Sequence, residues 1–187
     1  MIKELLEKTR SYRRFDHKIK INRKELEDIT DTYRLLPSAM NYQPLKFYLA
    51  DEEKTVSDLF EYTYWAGAVK DGKPCEEESP AAFIVICFDT EIGGKCDWDA
   101  GIASLALMER ATEMGYGGCI LGSFVKEKFR EILKIDATLE PNLVLALGKP
   151  IENVILTEAE NGKITYYRDE KRNHYVPKRP LSEILKN

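Results

Sequence analysis

Histidine is scarce in this chain of 187 residues: there are two copies, His17 and His174, near opposite ends. With no CxxC pair among Cys75, Cys87, Cys96 and Cys119, so few imidazoles argue against a zinc site. The same scarcity, together with the lack of a GxSxG sequence, leaves a Ser-His-Asp arrangement without a nucleophile elbow. No glycine-rich loop ends in GKS or GKT, and no GxGxxG follows a strand, which argues against a P-loop NTPase and a Rossmann dinucleotide site. Long apolar runs are missing as well. The opening MIKELLEKTR mixes charge with apolar residues, unlike a signal peptide, and no later run reaches membrane-spanning length. The expected setting is therefore the cytoplasm, where the four cysteines stay free and mostly buried. A charge excess is also lacking. Against 28 Lys and Arg stand 32 Asp and Glu, so the net charge of -4 draws the protein to neither nucleic acid nor anionic membrane. Any anion site has to be local.

The length fits one domain, 1–187, able to bury a continuous core. Residues 2–9 read as a short helix. Asn22 with Glu25 has the form of a capping box opening a second helix, which runs to Pro37. LKFYLAD (45–51) and AAFIVICFD (81–89) have the composition of buried strands, with a helix near 53–61 between them. The excursion EYTYWAGAVKDGKPCEEESP that follows this helix carries loop punctuation and reads as a mobile cap. DWDAGIASLALMERATEMG reads as one long helix with acids in its first turn and Gly115 at its end. From Ala100 to Met108 this helix carries no charge, and its large apolar residues point all round the axis. It belongs either in the centre of the core or in a subunit interface. GGCILG and NLVLALGKP read as further strands separated by an amphipathic helix, VKEKFREILK. Asn161-Gly162 between alternating segments reads as a β-hairpin turn, and the tail closes with a short helix. This irregular order points to an α+β sandwich rather than repeated βαβ units.

Two basic clusters, RSYRRF (10–15) and VPKRP (176–180), lie near opposite ends. Arg10, Arg13 and Arg14 follow a helix and could merely complement its carboxyl end, and Lys178 and Arg179 could be solvated surface. The functional alternative is that a phosphate monoester needs several cationic donors, which arginines and a serine hydroxyl supply. With no protein nucleophile in view, any redox or transfer chemistry falls to a cofactor.

In this order and at these separations, RSYRRF, PSAMNYQPLKF, DAGIASLALMERATEMGYGGCILGSF, LALGKP and VPKRPLSEIL resemble the FMN-dependent nitroreductase family over nearly the whole chain. The resemblance implies an α+β sandwich with a central, mainly antiparallel sheet flanked by helices. It also implies an intertwined homodimer with FMN at the subunit interface, and it gives helix 98–114 the role of central interface helix. Carried over by motif, Arg10 and Ser11 bind the phosphate and ribityl end of FMN, with Lys178 and Arg179 completing the clamp. Arg13 faces the pyrimidine edge of the flavin. Ser38 and Asn41, assisted by Gln43, reach FMN from the partner subunit, and the backbone of Leu121 and Gly122 passes the reactive N5 region. Tyr62, Tyr64 and Trp65 are candidates for stacking on flat substrates; no dedicated acid-base residue is expected. The implied activity is ping-pong hydride transfer from NADH or NADPH through FMN N5 to a nitroaromatic, quinone or related small acceptor. Related families of the same fold extend this to dehydrogenation, dehalogenation and flavin destruction, and a flavin-binding carrier or sensor is the rival from another class. Three positions depart from the common pattern: Thr9 stands where a second arginine is usual, Leu45 follows Pro44 where tryptophan is usual, and Leu105 replaces a glutamine.

Overall fold

In the computed structural model, residues 2–92 and 97–186 are described, so Cys96 lies outside them. The centre of the fold is β2 (Ala82–Asp89), in which the first seven residues are buried on both faces. It pairs antiparallel with β1 (Leu45–Ala50) on one side and β4 (Leu139–Gly148) on the other, and β4 pairs antiparallel with β3 (Gly117–Leu121). The order β1-β2-β4-β3 gives a four-stranded, wholly antiparallel sheet. Pro141 cannot donate to a ladder. It sits where β4 has only β2 beside it, at a register irregularity between Ile86 and Cys87.

Strand alternation sorts the core into two layers. Phe83, Val85, Val144 and Ala146 face one layer, completed by Val56, Leu59 and Phe60 of α3 (Glu53–Glu61) and Phe129 of α5 (Lys126–Leu133). Ile84, Ile86, Leu145 and Leu147 face the other, completed by Leu26 and Ile29 of α2 (Arg23–Asp31) and by α4 (Asp97–Glu113). A short α1 (Ile2–Lys8) precedes these, and the expected capping box is present: Asn22 and Glu25 satisfy each other's backbone amides. The second helix continues as a 3-10 turn, Thr32–Leu35, before Pro37.

The apolar helix α4 buries one face in the core and leaves the other exposed. Ala100, Ala103, Leu107 and Ala111 are fully buried against the sheet, while Trp98 is 70% exposed and Ile102 and Leu105 also reach solvent. Residues 37–43 contain a 3-10 turn, Ala39–Asn41, in which Met40, Asn41 and Gln43 all take positive φ. Such conformations are strained for side-chain-bearing residues.

One expectation changes. Asn161 and Gly162 do form a tight left-handed turn, but the segments flanking it do not pair with each other. β7 (His174–Lys178) lies between β5 (Val154–Glu158) and β6 (Tyr167–Arg168), parallel to β5 and antiparallel to β6. A local turn signal cannot reveal a later strand that inserts between its arms. The segment read as a mobile cap is clasped from outside by arginines. Arg14 and Arg168 donate to the Asp71 carbonyl at 3.0 and 2.7 Å, and Glu78 accepts from Arg14 and, at 2.8 Å, from Arg172. Of the described cysteines, Cys87 and Cys119 are buried and Cys75 is exposed. The chain closes with α6 (Leu181–Ile184). Among the described residues no helix is long and apolar enough to cross a membrane.

Candidate functional site

Residues 10–15 reach the sheet because glycine lets them. A Cβ on Gly117 would lie 2.6 Å from the Tyr12 ring, and one on Gly148 would lie 2.8 Å from the Phe15 ring. With neither present, Ser11 bridges Gly118, the Tyr12 amide donates to the Gly118 carbonyl at 2.8 Å, and Phe15 bridges Pro150. The Arg13 amide donates to the Glu152 carboxylate, and the Ile151 amide to the Arg14 carbonyl at 3.1 Å. The segment is thus stitched between the free edge of β3 and the exit of β4.

On the other side β7 brings the chain's far end to the same place. A cavity of about 350 Å³ is lined by Arg10, Ser11 and Arg13 from the first segment and by His174, Val176 and Lys178 from β7. Leu105 and Met108 of α4, Ile120 of β3 and Tyr166 contribute to its apolar walls. Three cationic side chains and a hydroxyl from opposite ends of the sequence therefore share one pocket. Arg10 also donates to the Leu6 carbonyl at the end of α1, so it complements that helix and lines the cavity at once. Among the described residues the Nε atoms of Arg10 and Arg13 are buried without a hydrogen-bond partner, leaving donors to spare for an anion.

The surroundings of Arg13 are ordered. Its guanidinium lies 5.4 Å from the centre of the Tyr166 ring and places Nη1 3.3 Å from His174 Nε2 and 3.2 Å from the Ser11 carbonyl. Glu152, its side chain only 2% exposed, also pairs with Arg168 at 3.2 Å. Burial, then the nearby Arg13 and Arg168, push the His174 pKa down to about 4. His174, Tyr166 and Glu152 were not among the candidates read from sequence. Their signal was absent, because only the pairing of β7 between β5 and β6 brings them to Arg13.

The remaining candidates lie elsewhere on the single chain. Arg179 is not part of the cavity wall; its guanidinium pairs with Glu183 at 2.8 Å. Ser38, Asn41 and Gln43 form a separate loop, in which Gln43 Nε2 donates to Asn41 Oδ1 at 3.0 Å. Leu121 is buried and Gly122 exposed. Immediately beyond them the chain meets the aromatic segment: the Tyr64 amide donates to the Ser123 carbonyl at 3.0 Å and the Val125 amide to the Tyr62 carbonyl at 2.9 Å. Tyr62 and Tyr64 therefore border the stretch carrying Gly122, with Tyr64 largely exposed. Trp65 does not offer a ring for stacking: it is 7% exposed, packs against Phe60 and donates to the Thr63 hydroxyl at 2.7 Å.

Comparison with family models then decides the relationship. The model of the Nitroreductase family matches residues 6–81 and 96–149. The chain belongs to the nitroreductase family. Comparison with curated proteins finds no match. Among solved structures, this nitroreductase-family chain is similar to a nitroreductase family protein from Clostridium novyi, at 25% identity and a TM-score of 0.65, over 80% of this chain and 86% of that one. It is similar over the full length of both chains to a nitroreductase family protein from Streptococcus pneumoniae, at 19% identity and a TM-score of 0.69. A protein from Exiguobacterium sibiricum solved in complex with FMN aligns at 21% identity and a TM-score of 0.67, over 81% of this chain and 89% of that one. The full-length structural match takes in β7 and Lys178, which the family model leaves out.

Proposed function

We propose that the chain is an FMN-dependent oxidoreductase working as a homodimer, drawing electrons from NADH or NADPH and delivering them to small acceptors such as nitroaromatics and quinones. The convergence of Arg10, Ser11, Arg13 and Lys178 on one cavity carries this reading. A phosphate monoester brings about two negative charges, and the cavity meets them with three cations, a hydroxyl and two unpartnered guanidinium Nε donors. The residues present fit the group.

Arg10, Ser11 and Lys178 hold the phosphate end, Lys178 as a mobile point charge and Arg10 as a fork already braced against α1. Arg13 would face the pyrimidine edge, a fixed positive charge where two-electron reduction places negative charge, and would so favour the reduced form. Leu105, Met108, Ile120 and Val176 exclude water from the inner wall. Bound FMN would supply the redox chemistry, carrying two electrons from the nicotinamide to the second substrate. Ser38, Asn41 and Gln43 would reach the cofactor held mainly by the partner subunit, and the Leu121-Gly122 backbone would help to hold the flavin ring. The exposed face of α4 supports the dimer, because Leu105 both belongs to that face and lines the cavity. A second copy covering this face closes the same pocket.

CLA-ER, an enone reductase with a TM-score of 0.69 to this chain at 19% identity, widens the acceptor class to activated alkenes. A single anaerobic titration tests the reading. The purified protein is yellow, NADH or NADPH bleaches it, and a nitroaromatic, quinone or enone restores the colour. A colourless protein that takes up no FMN contradicts the reading, and FMN that neither nicotinamide bleaches points to a carrier or another donor.

A further inference from the structure

The Arg13 side chain lines the cavity from the first segment, and a free arginine samples many rotamers. Something has to choose among them. Its backbone is fixed by Glu152, but a backbone bond does not aim a guanidinium. We propose that His174 is the positioning residue that aims Arg13, acting as a neutral hydrogen-bond acceptor through Nε2; the role rests on the flavin reading above.

A guanidinium has five donors and no acceptor, so in the 3.3 Å contact between Arg13 Nη1 and His174 Nε2 the imidazole has to accept. That places the ring proton on Nδ1, which is buried and has no partner. A doubly protonated ring would set two donors and two like charges against each other, and the enclosure of His174 by Arg13 and Arg168 opposes it. The acceptor is rigidly mounted. His174 is 1% exposed and sits on the central strand of its sheet, opposite Val154 on β5 and Arg168 on β6, with its amide donating to the Asn153 carbonyl at 2.8 Å. Tyr166 completes the arrangement. Its ring centre is 5.3 Å from that of His174 and carries the Arg13 guanidinium above it, so the arginine is aimed by one ring and supported by another.

An alternative is that His174 is simply packed, a core histidine that touches Arg13 incidentally. The two roles separate in the flavin's own properties. In FMN-loaded protein, the midpoint potential of the flavin and the affinity for FMN are measured for wild type, His174→Phe, His174→Asn, His174→Gln, Arg13→Ala and Arg13→Ala/His174→Phe. Gln places an acceptor where Nε2 stood and retains wild-type values. Phe removes the acceptor and Asn is too short to reach; both lower the potential in the same direction as Arg13→Ala and weaken FMN binding roughly tenfold or more, in keeping with one lost charge-assisted hydrogen bond. The double variant is no lower than Arg13→Ala alone, because without the guanidinium there is nothing left to aim. The Asn and Gln pair keeps the comparison intact if the Phe variant does not fold. Equal potentials in the Asn, Gln and wild-type proteins, or an additive double variant, overturn the positioning role while leaving the flavin site standing. Wild-type protein that binds no FMN overturns the flavin reading itself and this inference with it.

Discussion

The Asp99 carboxylate accepts the Ser38 hydroxyl at 2.6 Å and the Ala39 amide at 3.2 Å, fastening residues 37–43 to the first turn of α4. Ser38 Oγ in turn accepts the Gln43 amide at 2.9 Å, so one buried carboxylate holds both ends of a loop containing three positive-φ residues. Removing either partner breaks this part-buried network at a cost of roughly 1–3 kcal/mol. Ser38→Ala and Asp99→Ala are each expected to destabilise the protein by that order in urea unfolding. The double variant should lose less than the sum, because both changes break one network. Full additivity would mean that the two residues act independently.

Gly117→Ala tests the close approach that lets Tyr12 lie on β3. The added methyl meets the Tyr12 ring 2.6 Å away and the Pro150 ring 2.5 Å away, so a loss of roughly 1–3 kcal/mol is expected, together with weakened FMN binding as the neighbouring Ser11 shifts. Gly67→Ala is the matched control. Its Cβ would enter open space, and a change within roughly 0.5 kcal/mol is expected.

Acid should weaken the fold through His174. Its pKa of about 4 in the folded chain lies below the ordinary 6.5, so between these values the unfolded chain binds more protons and stability falls as pH falls. Above 6.5 both states are neutral and the effect is absent. The groups around the ring are Arg13, Arg168, Tyr166 and the Glu152 carboxylate held by Arg168. His174→Gln should flatten the urea midpoint against pH across this window, and an unchanged slope would assign the dependence to other groups.

The outward face of α4 predicts the assembly. Glutamate at Ile102 or Leu105 places a charge in the surface proposed to bury against a second copy, so sedimentation should show the wild type as a dimer and Leu105→Glu shifted toward monomer. FMN binding should weaken in the same variant. A dimer unaffected by both substitutions would place the interface elsewhere.

The sheet and its helices were legible in the sequence because they obey local rules. Asn22 and Glu25 announced their cap, the unbroken apolar run 81–88 announced a strand buried on both faces, and Gly115 announced the end of α4. The apolar circumference of α4 showed that something must enclose it without showing that the sheet covers only half. What stayed hidden depends on pairing between distant segments. Asn161-Gly162 looked like a hairpin because nothing near it encodes the insertion of β7. For the same reason Arg10, Ser11, Arg13 and Lys178 were nameable as candidates by motif, but His174, Tyr166 and Glu152 were not. Trp65 was misread because a loop aromatic looks the same in sequence whether it faces solvent or, as here, packs against Phe60.

The claim that Arg10, Ser11 and Lys178 together hold the phosphate of FMN is tested most directly by comparing FMN with riboflavin, which lacks that phosphate, in equilibrium titrations. Each charge-assisted contact is worth roughly 1.5–3 kcal/mol, so wild-type protein should prefer FMN by on the order of a hundredfold or more. Lys178→Ala and Arg10→Ala should each reduce that preference about tenfold or more, acting on FMN and sparing riboflavin. Equal affinity of the wild type for the two flavins, or an FMN preference that survives both substitutions, would contradict the account.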